Sequence, residues 1–174
     1  MPKNSNRLIL VTGATGHQGG AVLKHLRKKG FPVRILTRDP DKPEARKLVG
    51  SGTEVVRGDL NDQGTLTRAL EGVYGVYSVQ AANFADIENE VRQGINLADA
   101  AARSRINHLV YSSVASAHKN TGIPHFDSKF RVEEQIRGAG IPHTILRPAF
   151  FLENWITMKD DLEKGVIALG KVKK

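Results

Sequence analysis

Leu8-Ile9-Leu10-Val11-Thr12-Gly13-Ala14-Thr15-Gly16-His17-Gln18-Gly19-Gly20 opens on four apolar residues and runs into a glycine-rich turn. A short, wholly apolar run of this kind is expected of a strand buried on both faces. The glycines at 13, 16 and 19 make a G-x-x-G-x-x-G pattern. In such a turn one glycine permits the tight bend and one lets the backbone approach a pyrophosphate. The third lets the following helix pack closely on the sheet. That helix carries Val22, Leu23 and Leu26 and stops at Gly30. Its N-terminus would present free N–H groups and a positive dipole end to phosphates. Three glycines alone are weak evidence; their place between a buried strand and an amphipathic helix points to a dinucleotide. No Gly-Lys-Ser/Thr follows, so a P-loop is excluded.

Outward from this turn, apolar runs alternate with helical-period stretches. Val33–Thr37 reads as a second strand, ended by Asp39-Pro40, and a short helix over Glu44–Val49 ends at Gly50. Thr53–Val56 is a third strand, and Asp62 is placed to cap a helix reaching Leu70. Gly75–Val79 is strand four, and a long helix carries Ile87, Val91 and Ile95. Leu109–Ser112 is strand five, followed by a helix from near Phe126 to Gly138. Thr144–Leu146 is strand six, and a last helix spans Asn154 to Lys164. Strands alternating with helices predict a doubly wound parallel sheet of about six strands, with helices on both faces, over a single domain 1–174.

The end of the second strand bears on which dinucleotide is bound. A chain selecting NAD(H) usually places Asp or Glu there to hold the ribose hydroxyls. Here Thr37-Arg38 stands at that point, and a guanidinium suits a 2′-phosphate. Asp39 follows directly, but Pro40 behind it marks a turn residue. NADP(H) is therefore expected in preference to NAD(H).

Composition narrows the other classes. The chain has 174 residues, 40% apolar and 25% charged, with no cysteine. Disulfides, thiolate metal sites and cysteine nucleophiles are excluded, and a cytoplasmic location, with the nucleus as a second, is expected. No apolar run approaches the roughly 20 residues of a membrane span, and the N-terminus lacks the apolar core of a secretory signal. The net charge of +8 is concentrated in residues 1–50, which hold 11 Lys and Arg against 3 Asp and Glu. That field suits either a solvated helix face or an anionic ligand. Nucleic acid is not favoured, because no aromatics interleave the basic stretch and no nucleic-acid-binding motif occurs. The six histidines show no metal-ligand spacing, so no metal site is expected.

Val11–Gly16, Arg38 and Gly58-Asp59-Leu60 together resemble the atypical and extended short-chain dehydrogenase/reductase superfamily. Gly16-His17-Gln18-Gly19, His125–Lys129 and Leu146–Asn154 resemble its NmrA-like branch more narrowly, and the likeness runs from about Arg7 to Ala168. The resemblance implies that Gly13, Thr15, Gly16, His17, Gln18 and Gly19 line the pyrophosphate and that Arg38 meets the 2′-phosphate. It implies that Asp59 and Leu60 border the adenine, and that Gln80 and Ala81 lie along the ribose. Lys129 would approach the nicotinamide ribose, with Pro148 to Phe151 near the nicotinamide.

Most short-chain reductases carry Tyr-x-x-x-Lys, in which the lysine helps the phenol exchange a proton. Here Lys129 is kept, but His125 stands four residues earlier on the same helix face as Val132 and Ile136. His125 reads as a substitute acid, as the mark of a lost active site, or as a residue that starts a helix after Pro124. The resemblance implies a longer chain in most family members, so most of the usual substrate region is expected to be lacking here, and an apolar patch near Phe150, Phe151 and Trp155 would invite association. The expected function is an NADP(H)-binding, redox-responsive regulator or partner-binding module, working with a protein partner or as a homodimer. The alternative is an NADPH-dependent reductase of small quinone-like or aromatic substrates, with Lys129 and His125 as its catalytic groups.

Overall fold

A computed structural model of the chain describes residues 4–50, 52–80, 85–163 and 165. Six parallel strands form one sheet: β1 (Ile9–Val11), β2 (Val33–Thr37), β3 (Thr53–Arg57), β4 (Gly75–Ser78), β5 (His108–Ser112) and β6 (His143–Leu146). Their order across the sheet is β3-β2-β1-β4-β5-β6. The chain thus builds outward from β1 to β3, then crosses back to β4 and builds the other way. Adjacent registers are regular, with Val11 beside both Ile35 and Tyr77. This is the doubly wound Rossmann order, whose reversal leaves a crevice at the carboxyl ends of β1 and β4.

Helices cover both faces, as the alternation predicts. On one face α3 (Gln63–Ala69), α4 (Ile87–Arg103) and α5 (Pro124–Gly138) bury Leu66, Leu97, Val132 and Ile136 against Leu10, Leu109 and Tyr111. On the other, α1 (His17–Lys28) lays Leu23 and Leu26 on Val11, Val33 and Ile35. α4 and α5 cross closely because Gly94 has no side chain: a Cβ there would stand 2.6 Å from Val132 Cγ2. The caps follow local chemistry. Asp62 accepts from the Gly64 and Thr65 N–H groups at the head of α3, and Asp86 accepts from Asn89 at the head of α4.

The strands fall within one residue of their expected bounds, whereas three helices differ by more. α2 covers only Pro43–Arg46, because Leu48 and Val49 continue in tighter turns, bonding to Ala45 and Arg46 carbonyls, before Gly50 at φ +117°. α5 starts at Pro124, where a proline in the first turn forfeits no hydrogen bond. The last helix is broken at Met158 into α6 (Asn154–Thr157) and α7 (Lys159–Glu163); the Met158 N–H is shared between the Asn154 and Trp155 carbonyls, and the turn closes there. Lys164 lies outside the described residues. Near this end Phe150, Phe151 and Trp155 are each about four-tenths exposed, with the Phe150 and Trp155 rings 5.2 Å apart.

Candidate functional site

The glycine turn sits at the mouth of the β1/β4 crevice. Gly13 adopts φ +62°, a conformation that favours glycine, and a Cβ on it would stand 2.8 Å from Val79 Cγ1. A Cβ on Gly19 would overlap the Gly13 carbonyl, so only glycine lets α1 pack this tightly behind the turn. Thr12 ties the two strand ends together: its Oγ1 donates to the Val79 carbonyl and accepts from the Val79 N–H, both at 2.9 Å. Gly16 caps α1 without any side-chain acceptor. The N–H groups of the first turn are therefore left for an external acceptor.

From this turn a cleft of about 470 Å³ runs past the ends of β2 and β3 to the first two turns of α4. Gly13 and Thr15 form one wall, Thr37, Arg38 and Lys42 another, and Asp59, Leu60, Asn89 and Gln93 close it. Arg38 and Lys42 are exposed, and among the described residues neither side chain makes an ion pair or hydrogen bond. Asp39, by contrast, is used locally, its carboxylate accepting from the Asp41 N–H at 3.0 Å. Asp59 similarly holds Asn61, while the Leu60 carbonyl accepts from Asn96 Nδ2 at 2.9 Å. Two unpaired cations beside a glycine turn and an uncapped helix form a donor set suited to a phosphorylated nucleotide. Lys42 was not singled out from the sequence. The signal was its place four residues after Arg38, just before the helix-starting Pro43.

The remaining candidates do not line this cleft. His17 is exposed as the first residue of α1. Gln18 reaches the other way, its Nε2 donating to Ser112 Oγ at 2.7 Å beside the Tyr77 phenol. Burial pushes that phenol upward, against the hydrogen bonds of Ser112 and Gln18. Gln80 is buried, donating to Ser78 Oγ at 2.9 Å while its Oε1 has no partner among the described residues. Pro148 accepts from the Ala115 N–H through its carbonyl, and Phe151 stands half exposed. Ala81 lies outside the described residues.

Lys129 is buried on α5 and bound to a residue the sequence reading missed. Its Nζ lies 2.8 Å from Glu90 Oε1 and 5.7 Å from the centre of the Tyr111 ring. His125 Nδ1 lies 3.8 Å from the other Glu90 oxygen. Burial pushes the Glu90 carboxyl up, but the His125 hydrogen bond and the Lys129 ammonium outweigh it and hold the group below its ordinary range. Burial, with the charges of Glu90 and Glu133, pushes the Tyr111 phenol well up. Glu90 could have been suspected, since it falls three residues after Ile87 and one before Val91, on the inward face of α4.

A family model described as the NmrA-like family matches residues 5–171. Among solved structures, triphenylmethane reductase from Citrobacter sp., complexed with NADP(H), matches at TM-score 0.80 and 31% identity, over 91% of this chain and 56% of its own. NADPH-dependent quinone oxidoreductase from Escherichia coli, complexed with NADPH, matches at 0.77 and 27%, over 91% and 55%. NmrA, a negative transcriptional regulator in complex with NADP, matches at 0.70 and 28%, over 82% and 45%. The chain spans about half the length of the curated relatives it matches.

Proposed function

The chain belongs to the NmrA-like family, and from that premise we propose that it binds NADP(H) in the β1/β4 crevice and works as a redox-responsive, partner-binding module. One observation carries the cofactor choice: Arg38 and Lys42, both unpaired, face the same cleft as the Gly13 turn. In this reading the pyrophosphate rests on Gly13, Thr15, Gly16 and the head of α1, with His17, Gln18 and Gly19 supplying backbone donors. The 2′-phosphate meets Arg38 and Lys42, and Asp59 and Leu60 border the adenine. Gln80, Lys129, Pro148 and Phe151 belong to the nicotinamide side. The NADP(H) complexes of the three structural neighbours support the same cofactor class.

The regulatory half of the reading rests on the proton-transfer position. His125 stands where a reductase of the superfamily would carry its tyrosine, and Glu90 engages both His125 and Lys129. The second reading, an NADPH-dependent reductase of quinone-like or aromatic acceptors, is favoured by the two reductases among the neighbours. There the bound nicotinamide supplies hydride, Lys129 orients the ribose, and His125 or water provides the proton.

Titrating the protein with NADPH and NADH, read by nicotinamide fluorescence and the single tryptophan Trp155, tests the cofactor proposal. Tighter binding of NADPH is expected, and equal or absent binding overturns it. Following NADPH oxidation against a panel of quinones then separates the two readings. No turnover with any acceptor is expected of the regulatory module. Steady turnover that Lys129→Ala abolishes even at saturating NADPH establishes the reductase.

A further inference from the structure

The first turns of α4 serve two neighbourhoods at once. Asn89 and Gln93, one helical turn apart, line the cleft, while Glu90 between them points inward to α5. Glu90 is nearly inaccessible, and so is Lys129. A lysine head group at that depth needs a partner of opposite charge to hold it in one place. The other carboxylates nearby are committed elsewhere. Glu88 is exposed and held by Arg131 at 2.6 Å, and Glu133, one turn further along α5 from Lys129, is engaged by Arg137 and Arg147. Glu90 alone among the described residues makes an ion pair with the Lys129 ammonium. An ammonium has three donors; Glu90 Oε1 stands 2.8 Å away on one side, and the Tyr111 ring flanks the group on another at 5.7 Å.

Resting on the NADP(H) reading, we propose that Glu90 is a positioning residue: it holds the Lys129 head group aimed, so that a remaining N–H can be given to the nicotinamide-side ribose. The ribose contact then depends on a carboxylate that never touches the dinucleotide. Because α4 also forms a wall of the adenosine cleft through Asn89 and Gln93, one helix sets both ends of the site.

The test compares NADPH with adenosine 2′,5′-bisphosphate, which carries the 2′-phosphate half and lacks the nicotinamide ribose. For Glu90→Gln, NADPH affinity is expected to fall roughly tenfold, the loss of one charge-assisted hydrogen bond, with the fragment's affinity unchanged. Lys129→Met should lose as much, and Glu90→Gln/Lys129→Met should be no weaker than Lys129→Met alone. Glu90→Asp, which restores the charge, should recover part of the loss. The double variant removes both charges together, so it carries the test even if Glu90→Gln alone fails to fold. Losses that add in the double variant, or an unchanged NADPH affinity in Glu90→Gln, overturn the inference. Equal binding of NADPH and the fragment by the unaltered chain overturns it too, and leaves the cofactor cleft standing. Binding of neither removes the proposed function and this inference with it.

Discussion

Glu133, fully buried on α5, grips Arg147 at the end of β6 through both carboxylate oxygens, at 2.9 Å to Nε and 2.5 Å to Nη2. The same carboxylate accepts from Ser113 Oγ and from Arg137 Nη2. One group thus joins the ends of β5 and β6 to the helix between them, just ahead of Pro148–Phe151. Burial pushes the Glu133 carboxyl up, but the hydrogen bonds of Arg147, Ser113 and Arg137 prevail and hold it at about 2, against an ordinary 4.5. A group depressed on folding contributes stability that is complete above its unfolded value and is lost as pH falls through the folded one. Stability against denaturant should therefore fall as pH is lowered from about 5 to 2, and Glu90, also depressed, adds in the same direction. In Glu133→Gln the slope over that window should flatten, with stability near pH 7 lowered by about 2 kcal/mol. An unchanged slope would show that the carboxylate is not held down by its partners.

Arg38 and Lys42 should discriminate between the two dinucleotides. Each replacement by Ala removes one charge-assisted contact to a 2′-phosphate, so NADPH should bind roughly tenfold more weakly in each. NADH affinity should stay within about twofold, since it carries no phosphate there. Fluorescence titration reads both, and a parallel loss for NADH would assign the two cations to the pyrophosphate instead.

Gly19→Ala sets a Cβ into the Gly13 carbonyl and 2.8 Å from the Thr12 carbonyl, where only backbone could yield. The variant should lose about 2–3 kcal/mol of stability, and the turn should lose its hold on a dinucleotide. Gly16→Ala is the comparison, because its Cβ would stand 3.4 Å from the Gly13 oxygen, an ordinary contact. Thermal melting of the pair separates overlap from a general cost of filling glycines; equal melting would sink the packing argument.

Asp62→Ala removes the acceptor for the Gly64 and Thr65 N–H groups at the head of α3. A loss of about 1 kcal/mol is expected in urea unfolding, with Asp62→Asn close to the unaltered chain. If Asn and Ala behave alike, the side chain is not acting as a cap.

Much of the fold was open to reading along the chain, because burial on both faces leaves a mark in consecutive residues. Leu8–Val11, Val33–Thr37 and Leu109–Ser112 are short apolar runs between helical periods, and each became a strand within one residue of its expected bounds. Arg38 was likewise visible, since it stands directly after β2 where local order puts it at the crevice. Lys42 was not, because a turn through Asp39 and Asp41 carries it back beside Arg38 and no periodicity records that return. The break at Met158 was also hidden: apolar spacing marks a helical stretch, whereas the bifurcated bond that closes it depends on the backbone path.

The residues themselves settle what is local: the glycine turn, its strand and helix, the Asp62 cap, and the doubly wound parallel sheet that alternation predicts through right-handed crossovers; the strand order itself is tertiary. Pairing across the fold is another matter. Lys129 could be assigned to an inward helix face from its spacing to Val132 and Ile136, but spacing is silent about what lies opposite. Glu90 is thirty-nine positions away, and it meets Lys129 because Gly94 and Val132 let α4 and α5 close together over the sheet. Glu133 finds Arg147 only because β6 runs parallel beside β5. A buried charge needs a partner, and which partner it has is fixed by the packing of helices and strands far apart in the chain.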